Sequence, residues 1–198
     1  FLKEGIATLK QQVSAYSFRQ YGADGSAHCI TKFLQGTSAQ EIVGFFSPYL
    51  FKMSDQAVDC CRPDADGIFL YPETAGLDFE SIKEGIFLMD CSTELILFIA
   101  NNPNLTQEDH PAELTELFGM DKIVKNTLLA ESSIRQSEEG LAGRMIRLIA
   151  ELRATKPYQY VPLFVAICGS GSAFEREFYL RLTNEQYDEF KRFNLNWK

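Results

Sequence analysis

Two apolar runs joined by a three-residue turn constrain the fold more than any other feature of this sequence. Residues 85–90 (GIFLMD) and 94–99 (ELILFI) flank the turn Cys91-Ser92-Thr93. Two such runs across so short a turn form a β-hairpin. Strands this apolar occur where both faces of a sheet are covered. The sequence therefore predicts a central hairpin in a sheet with two buried faces.

The chain before the hairpin is predicted to be helical. Its first apolar stripe steps by three and four residues, as in an amphipathic helix: Leu2, Ile6, Leu9, Val13 and Tyr16. A second helix runs through Cys29 and Leu34 and stops at Gly36. Ser38 and Glu41 form a capping-box pattern that opens a third helix, which Pro48 ends. The polar, acidic stretch that follows is predicted to be a linker.

The chain around and after the hairpin alternates between strands and helices. Residues 68–71 favour a short strand, and a helix is predicted to end at Gly119. The strongest helical pattern covers 141–152. Alternating apolar residues predict a strand over 161–167. Two more helices are predicted beyond it, over Phe174–Phe178 and 184–197.

The charge balance excludes some classes of partner. Lys and Arg total 19 against 27 Asp and Glu, which gives a net charge of -8. Nucleic-acid binding draws most of its affinity from cationic residues that neutralise phosphates. The composition therefore argues against a nucleic-acid protein and against a polybasic membrane anchor. No run of about 18 apolar residues is present, so no membrane-spanning helix is expected.

Cysteine and histidine usage gives no support to a catalytic or metal site. The cysteines are odd in number and contain no CxxC pair: Cys29, Cys60, Cys61, Cys91 and Cys168. Reduced thiols are the simplest interpretation, with neither a disulfide framework nor a zinc site. His28 is adjacent to Cys29, but neighbouring residues on a helix point to different sides. His110 lies in a predicted helix entry. We expect no enzymatic activity, no catalytic residue and no cofactor.

Two loops contain residues that can hold ions. Gly169-Ser170-Gly171-Ser172 joins a strand to a helix, where backbone N–H groups could bind a phosphate. The alternative is a turn that requires positive φ angles. Asp64-Ala65-Asp66-Gly67 resembles part of a calcium loop but has no Glu at the twelfth position. A solvated acidic segment is the alternative there.

Arg176 is the one candidate partner-binding residue. It lies at the start of a predicted helix, between Glu175 and Glu177. An exposed guanidinium can bind a phosphate or carboxylate through two hydrogen bonds. A surface arginine paired with a neighbouring glutamate is the alternative, and such pairs contribute little.

Several stretches, in this order, resemble the C-terminal part of the Sec23/Sec24 family of COPII inner-coat subunits. Six segments contribute to the likeness: LKQQVSAYSFRQYGADGSAH (9–28), EIVGFFSPYLFKM (41–53), IKEGIFLMDCSTELILFIA (82–100), ELTELFGM (113–120), GLAGRMIRLIAELRATKPYQYVPLFVAIC (140–168) and YDEFKRF (187–193). The 148–168 run and the YDEF helix are more similar to the Sec24 type than to the Sec23 type.

The resemblance implies an α+β fold. Residues 1–53 would be the C-terminal part of an all-α helical domain, and 54–66 a linker. Residues 67–182 would form a gelsolin-like domain, a mixed β-sheet flanked by helices. Residues 183–198 would be a C-terminal helix that returns to pack on the helical part. The family's zinc finger would precede this region, so the resemblance implies no cofactor here.

The resemblance also implies a function. A Sec24-type subunit is a scaffold and cargo adaptor in ER-to-Golgi transport. It would be cytoplasmic and peripheral on the ER membrane and COPII vesicles. Its partners would be a Sec23-like subunit, reached through the preceding domains, together with cargo proteins and the small GTPase Sar1. No nucleic acid is implied.

Two alternatives share the predicted core. In Sec23-like proteins an arginine after a Gly-Ser turn enters the active site of Sar1, and Arg176 follows such a turn at a different spacing. A gelsolin-type actin-binding module would instead need calcium carboxylates near the hairpin and an exposed hydrophobic long helix.

Overall fold

A computed structural model describes residues 44, 48–54, 56–57, 59–100, 112–120, 129–156 and 161–182. The helices predicted within residues 1–36 and over 184–197 lie outside these ranges. Within the described part of the chain, no helix is long and apolar enough to cross a membrane.

Strands and helices alternate along the described chain much as the sequence patterns predict. The strands are β1 (Tyr49–Lys52), β2 (Gly85–Asp90), β3 (Leu95–Ala100) and β4 (Leu163–Ile167). The helices are α1 (Ala112–Phe118), α2 (Gly140–Ala154) and α3 (Ala173–Leu180). Short 3-10 turns occupy Glu80–Ile82 and Glu131–Ser133. The predicted hairpin is confirmed as β2 and β3, and the predicted helix over 141–152 as α2.

The four strands form one mixed sheet in the order β1-β2-β3-β4. β1 pairs with β2 and β2 with β3 in antiparallel register, with Phe87 opposite Phe98 at the centre of the hairpin. β3 and β4 are parallel, with Phe98 opposite Ala166. A parallel pair needs a long crossover connection, and here that connection contains α1 and α2. The predicted α+β class is confirmed.

Both faces of the sheet are buried. Successive side chains of a strand point to opposite sides, and almost every residue of β2 and β3 is buried. One face packs against α1 and α2, with Leu88 and Leu97 of the strands meeting Met145 and Leu148 of α2. The other face packs against α3, where Phe98 contacts Phe178. The central hairpin therefore lies between two hydrophobic cores, which explains why its sequence does not alternate with polar residues.

Two sequence predictions about the region before the hairpin are wrong. The predicted end of the helical part at residue 53 is too late, because residues 49–52 form an edge strand of the sheet. The predicted strand over 68–71 is a loop with a single bridge, Pro63 to Phe69. Its backbone turns instead toward the segment 61–63, where Leu70 N–H donates to the Arg62 carbonyl at 2.9 Å.

The predicted linker over 54–66 is also part of the packed body. Cys61 is fully buried and Cys60 is nearly so, and both belong to the core beside α2. Asp59 and Asp66 of the same segment are exposed. The acidic residues of this segment indicate exposure, but its two cysteines are buried, because a thiol packs like a small hydrophobic group. The wider division into domains remains a prediction.

Candidate functional site

The glycine loop after β4 is a tight turn that requires left-handed backbone. Gly169 has φ of +76° and Gly171 has φ of +71°. Glycine adopts such angles without steric penalty, because it has no Cβ. The turn reverses the chain so that α3 can begin at Ala173. Its backbone N–H groups point inward to a common acceptor.

That acceptor is the carboxylate of Glu175, whose residue is 0% exposed. Gly169 N–H donates to Glu175 Oε1 at 2.5 Å, and Gly171 N–H donates to Oε2 at 2.7 Å. The Ser170 hydroxyl donates to Oε2 at 3.2 Å. The chain's own carboxylate therefore occupies the position that a phosphate would need. The phosphate-binding interpretation of this loop is wrong, and the turn interpretation is correct.

The first residues of α3 explain how Glu175 is held. Ser172 is the N-cap, and its hydroxyl accepts from Glu175 N–H at 3.1 Å. Ser172 and Glu175 are spaced as in a capping box. The Glu175 side chain extends past the cap, however, to the glycine N–H groups. The Ser-x-x-Glu spacing was the signal in the sequence that could have identified Glu175 as a buried anchor.

Arg176 follows directly and is exposed. Its own N–H donates to the Ser172 carbonyl at 3.2 Å, within the first turn of α3. Since the loop and helix start are fixed by Glu175, Arg176 extends from a rigid turn. The structure thus places this predicted residue at the surface, as a contact with a partner requires.

The next residue, Glu177, is partly buried. Burial raises the pKa of its carboxyl, the nearby Arg181 guanidinium opposes that rise, and Glu94 adds to it. Arg181 forms an ion pair with Glu94, and its own side chain is only 4% exposed. These charges join α3 to the turn between β2 and β3. The ion pair stabilises the contact between these elements.

The Asp64 loop uses its carboxylate for its own backbone. Asp64 Oδ1 accepts from the N–H groups of Asp66 and Ile68, both at 2.9 Å. This is the Asx-turn geometry common in tight loops. In the part of the chain that the structure describes, no group of three or more His, Cys, Asp or Glu residues could hold a metal ion. The loop is therefore a structural turn.

The described thiols are free, and those of Cys61 and Cys91 are poorly suited to nucleophilic chemistry. Burial raises the pKa of Cys91 to about 12. Burial, together with the hydrogen bond between the Cys61 and Cys60 thiols, raises the pKa of Cys61 to about 12. A reactive cysteine requires a lowered pKa, because the thiolate is the nucleophile. Cys29, His28 and His110 lie outside the described residues.

Two further ion pairs connect the elements around the sheet. Lys156, just after α2, contacts Asp90 at the end of β2 at 2.7 Å, with side chains 14% and 5% exposed. Arg153 of α2 binds both carboxylate oxygens of Glu131 at 2.6 and 2.7 Å. It also donates to the Val161 carbonyl just before β4. These pairs fix the C-terminal end of α2 before the chain enters β4.

The described residues therefore define an α+β domain whose mixed sheet lies between helices. No family model matches the sequence, and no curated protein sequence matches it. Among solved structures, the chain is similar to the human COPII-coat protein Sec24c. The TM-score is 0.62 at 16% sequence identity, over 90% of this chain and 22% of that chain. The likeness shows a shared fold, and the chain spans about a fifth of the coat protein's length.

Proposed function

We propose that this chain is a segment of a COPII inner-coat subunit of the Sec24 type, a scaffold and cargo adaptor in ER-to-Golgi transport. The observation that carries the proposal is the shared fold with Sec24c over 90% of the chain. The ordered sequence segments described above point to the same family independently of any backbone comparison.

The packing of the described residues suits a scaffold. The two cores cover the sheet on both faces. The pairs Lys156–Asp90, Arg153–Glu131 and Arg181–Glu94 join different elements of the fold. A body held in this way presents fixed surfaces to partners. We propose no enzymatic activity and no cofactor for it.

The partners and location follow from the same proposal. A Sec23-like subunit would bind through other domains of the parent protein, and cargo proteins and Sar1 would complete the coat. The parent protein would be cytoplasmic and peripheral on the ER membrane and on COPII vesicles. Nucleic acid is not among the proposed partners, in keeping with the net charge of -8.

The test uses the native parent protein. An antibody raised against this chain would precipitate the parent protein from cytosol. Mass spectrometry would then identify the proteins recovered with the parent protein. A Sec23-like subunit should be recovered in near-equal amounts. The parent protein should also bind ER microsomes only when Sar1 carries a non-hydrolysable GTP analogue. Recovery of actin as the main partner, with no Sar1-dependent binding, would overturn the proposal in favour of a gelsolin-type module.

A Sec23-like role is a second candidate, favoured by the exposure of Arg176 on its rigid turn. On that proposal Arg176 contacts the nucleotide site of Sar1 and accelerates GTP hydrolysis. Arg176→Ala should then abolish the stimulation of GTP hydrolysis. Arg176→Lys should retain little of it, because a lysine ammonium lacks the planar pair of donors that a guanidinium has. Single-turnover GTP hydrolysis by Sar1 with the parent protein measures this. Equal stimulation by wild type and Arg176→Ala, or none by wild type, excludes this role and leaves the Sec24-type proposal standing.

A further inference from the structure

Three arginines gather where the Cys60–Cys61 turn meets α2. Arg144 and Arg147 are three residues apart on α2 and therefore lie on the same side of the helix. Arg147 Nε donates to the Cys61 carbonyl at 2.8 Å. Arg62 follows Cys61 directly in the chain. We call Arg62, Arg144 and Arg147 the arginine cluster.

The cluster is built into the fold. Arg147 Nη1 donates to the Glu138 carbonyl at 2.6 Å. Glu138 can approach α2 because residue 143 is glycine, where an added Cβ would lie 2.6 Å from the Glu138 carbonyl carbon. Two backbone carbonyls thus fix the Arg147 guanidinium in place. Its Nη2 group has no hydrogen-bond partner among the described residues.

The cluster also lacks a counter-ion within the described ranges. None of the three guanidinium groups forms an ion pair with a described carboxylate, although acidic residues outnumber basic ones in the chain. Arg144 Nε is buried and has no hydrogen-bond partner among the described residues. The pKa of Arg147 is lowered by burial and by the neighbouring charges of Arg62 and Arg144. Like charges held together without a counter-ion indicate a site that an anion would stabilise.

The charge and shape of the cluster favour a phosphomonoester over a carboxylate. A phosphorylated side chain carries a charge of about -2 and three strong acceptor oxygens at neutral pH. The exposed Arg62 can present a planar pair of donors to such a group. Arg147 can add its Nη2 group, because its Nε and Nη1 donate to backbone carbonyls. A single carboxylate would leave most of the cluster's charge unbalanced.

The surroundings favour a peptide over a membrane. Ile68 is 63% exposed and Tyr71 is 46% exposed. Both lie on the segment that pairs with the chain around Arg62. Exposed acidic residues, Asp59 and Asp66 among them, lie near the cluster in sequence. These would repel an anionic bilayer, whereas a peptide can place an apolar side chain on Ile68 and Tyr71.

We propose that the arginine cluster binds a phosphorylated serine or threonine in a partner protein, with an adjacent apolar residue of that partner on Ile68 and Tyr71. This mode of recognition by grouped arginines is common among phosphopeptide-binding domains. The inference does not depend on the proposed coat function. It requires only the described contacts between α2 and the Cys60–Cys61 turn.

The test measures binding of the full chain to three fluorescein-labelled peptides of one sequence by fluorescence anisotropy. The peptides carry phosphoserine, serine or glutamate at one position, followed by leucine. The phosphoserine peptide should bind at least tenfold more tightly than the other two. Arg62→Gln and Arg147→Gln should each weaken that binding about tenfold, since a charge-assisted hydrogen bond contributes enough for that factor. Arg135→Gln, an exposed arginine outside the cluster, should leave it unchanged.

Three results would overturn the proposal. Equal affinity for the phosphoserine and glutamate peptides would show that a single carboxylate suffices. Unchanged phosphopeptide affinity in Arg62→Gln, an exposed position where folding is not at risk, would remove the cluster from the site. Binding to vesicles of phosphatidylserine and phosphatidylcholine, without binding to any peptide, would identify a membrane surface instead.

Discussion

At the scale of single residues, Glu175 shows how a buried charge can organise a loop. Its carboxylate accepts three hydrogen bonds from the glycine loop while its residue is 0% exposed. Removal of the carboxylate would take this acceptor from the N–H groups of Gly169 and Gly171 and from the Ser170 hydroxyl. Hydrogen bonds to a charged group contribute more to stability than those between neutral groups. The loop that resembles a phosphate site is thus stabilised by an internal anion.

We predict that Glu175→Ala destabilises the protein by about 1.5–3 kcal/mol, the range for lost hydrogen bonds to a charged group. Urea unfolding of the full chain measures the change. The control Glu73→Ala, at an exposed position, should stay within about 0.5 kcal/mol of wild type. A loss below about 1 kcal/mol for Glu175→Ala would mean that water can replace the carboxylate, contrary to its burial.

A second prediction at this scale concerns the Cys91 thiol, which is 0% exposed. Its pKa is raised from an ordinary 9.0 to about 12 by burial. A group whose pKa is raised on folding contributes its full stabilisation below the unfolded pKa. That contribution falls as the pH rises from about 9 toward 12, by up to about 1.4 kcal/mol per pH unit.

Cys91→Ala removes this titration, so its stability should fall less steeply with pH over that window than the stability of wild type. Urea unfolding at a series of pH values gives both curves, and their difference isolates the thiol from other alkaline titrations. Parallel curves for the two proteins would show that Cys91 ionises as easily in the folded state as in the unfolded state.

At the scale of elements, the strongest hydrophobic patterns in the sequence give correct predictions of secondary structure. Continuous apolar runs predict the hairpin, helical periodicity predicts α2, and alternating apolar residues predict β4. The sequence does not predict β1, because the third helix is predicted to end at Pro48 and the four residues that follow are too few for a clear pattern. Pairing with β2 decides their conformation. The strand predicted over 68–71 is wrong, because the Phe69 side chain packs against the core while the backbone around it forms a single bridge.

The candidate site was less predictable than the fold. Arg176 is exposed as expected, and a local pattern, Ser-x-x-Glu, could have identified Glu175. The arginine cluster had no local signal, since Arg62 and Arg147 are 85 positions apart in the sequence and meet only through the Cys61 carbonyl. Contacts between distant segments depend on tertiary packing, which periodicity alone does not encode.

The prediction at this scale concerns β3, one of the two central strands of the sheet, which has helices on both faces. Phe98 is 1% exposed, and its ring stacks on Phe178 with centroids 3.9 Å apart. Phe98→Ala should destabilise the protein by about 3–5 kcal/mol through lost burial and the cavity left behind. Ile68→Ala, where the side chain is 63% exposed, should change stability by less than about 0.5 kcal/mol. Guanidinium unfolding measures the free energy of unfolding of both variants. A small loss for Phe98→Ala would show that its side chain is solvated, as at an edge of the sheet.

At the scale of the whole molecule, charge is distributed so that cations serve specific contacts. Lys156, Arg153 and Arg181 each form an ion pair within the fold. The arginine cluster concentrates three of the remaining cations in one place, within a chain whose net charge is -8. A long polyanion would meet the acidic surface around that place, whereas a compact ligand with one phosphate would not. The same distribution thus favours one kind of phosphate ligand and disfavours another.

We therefore predict that the full chain does not bind duplex DNA or single-stranded RNA with a dissociation constant below about 10⁻⁴ M at physiological salt, the weak end of non-specific binding. Fluorescence anisotropy with a labelled 20-base-pair duplex and a 20-nucleotide RNA measures this, and the phosphoserine peptide serves as the positive control in the same buffer. Tighter nucleic-acid binding that weakens steeply with added salt would show that several phosphates contact the chain at once. The cluster would then be one end of a longer cationic track, and the preference for a single phosphorylated side chain would lose its electrostatic basis.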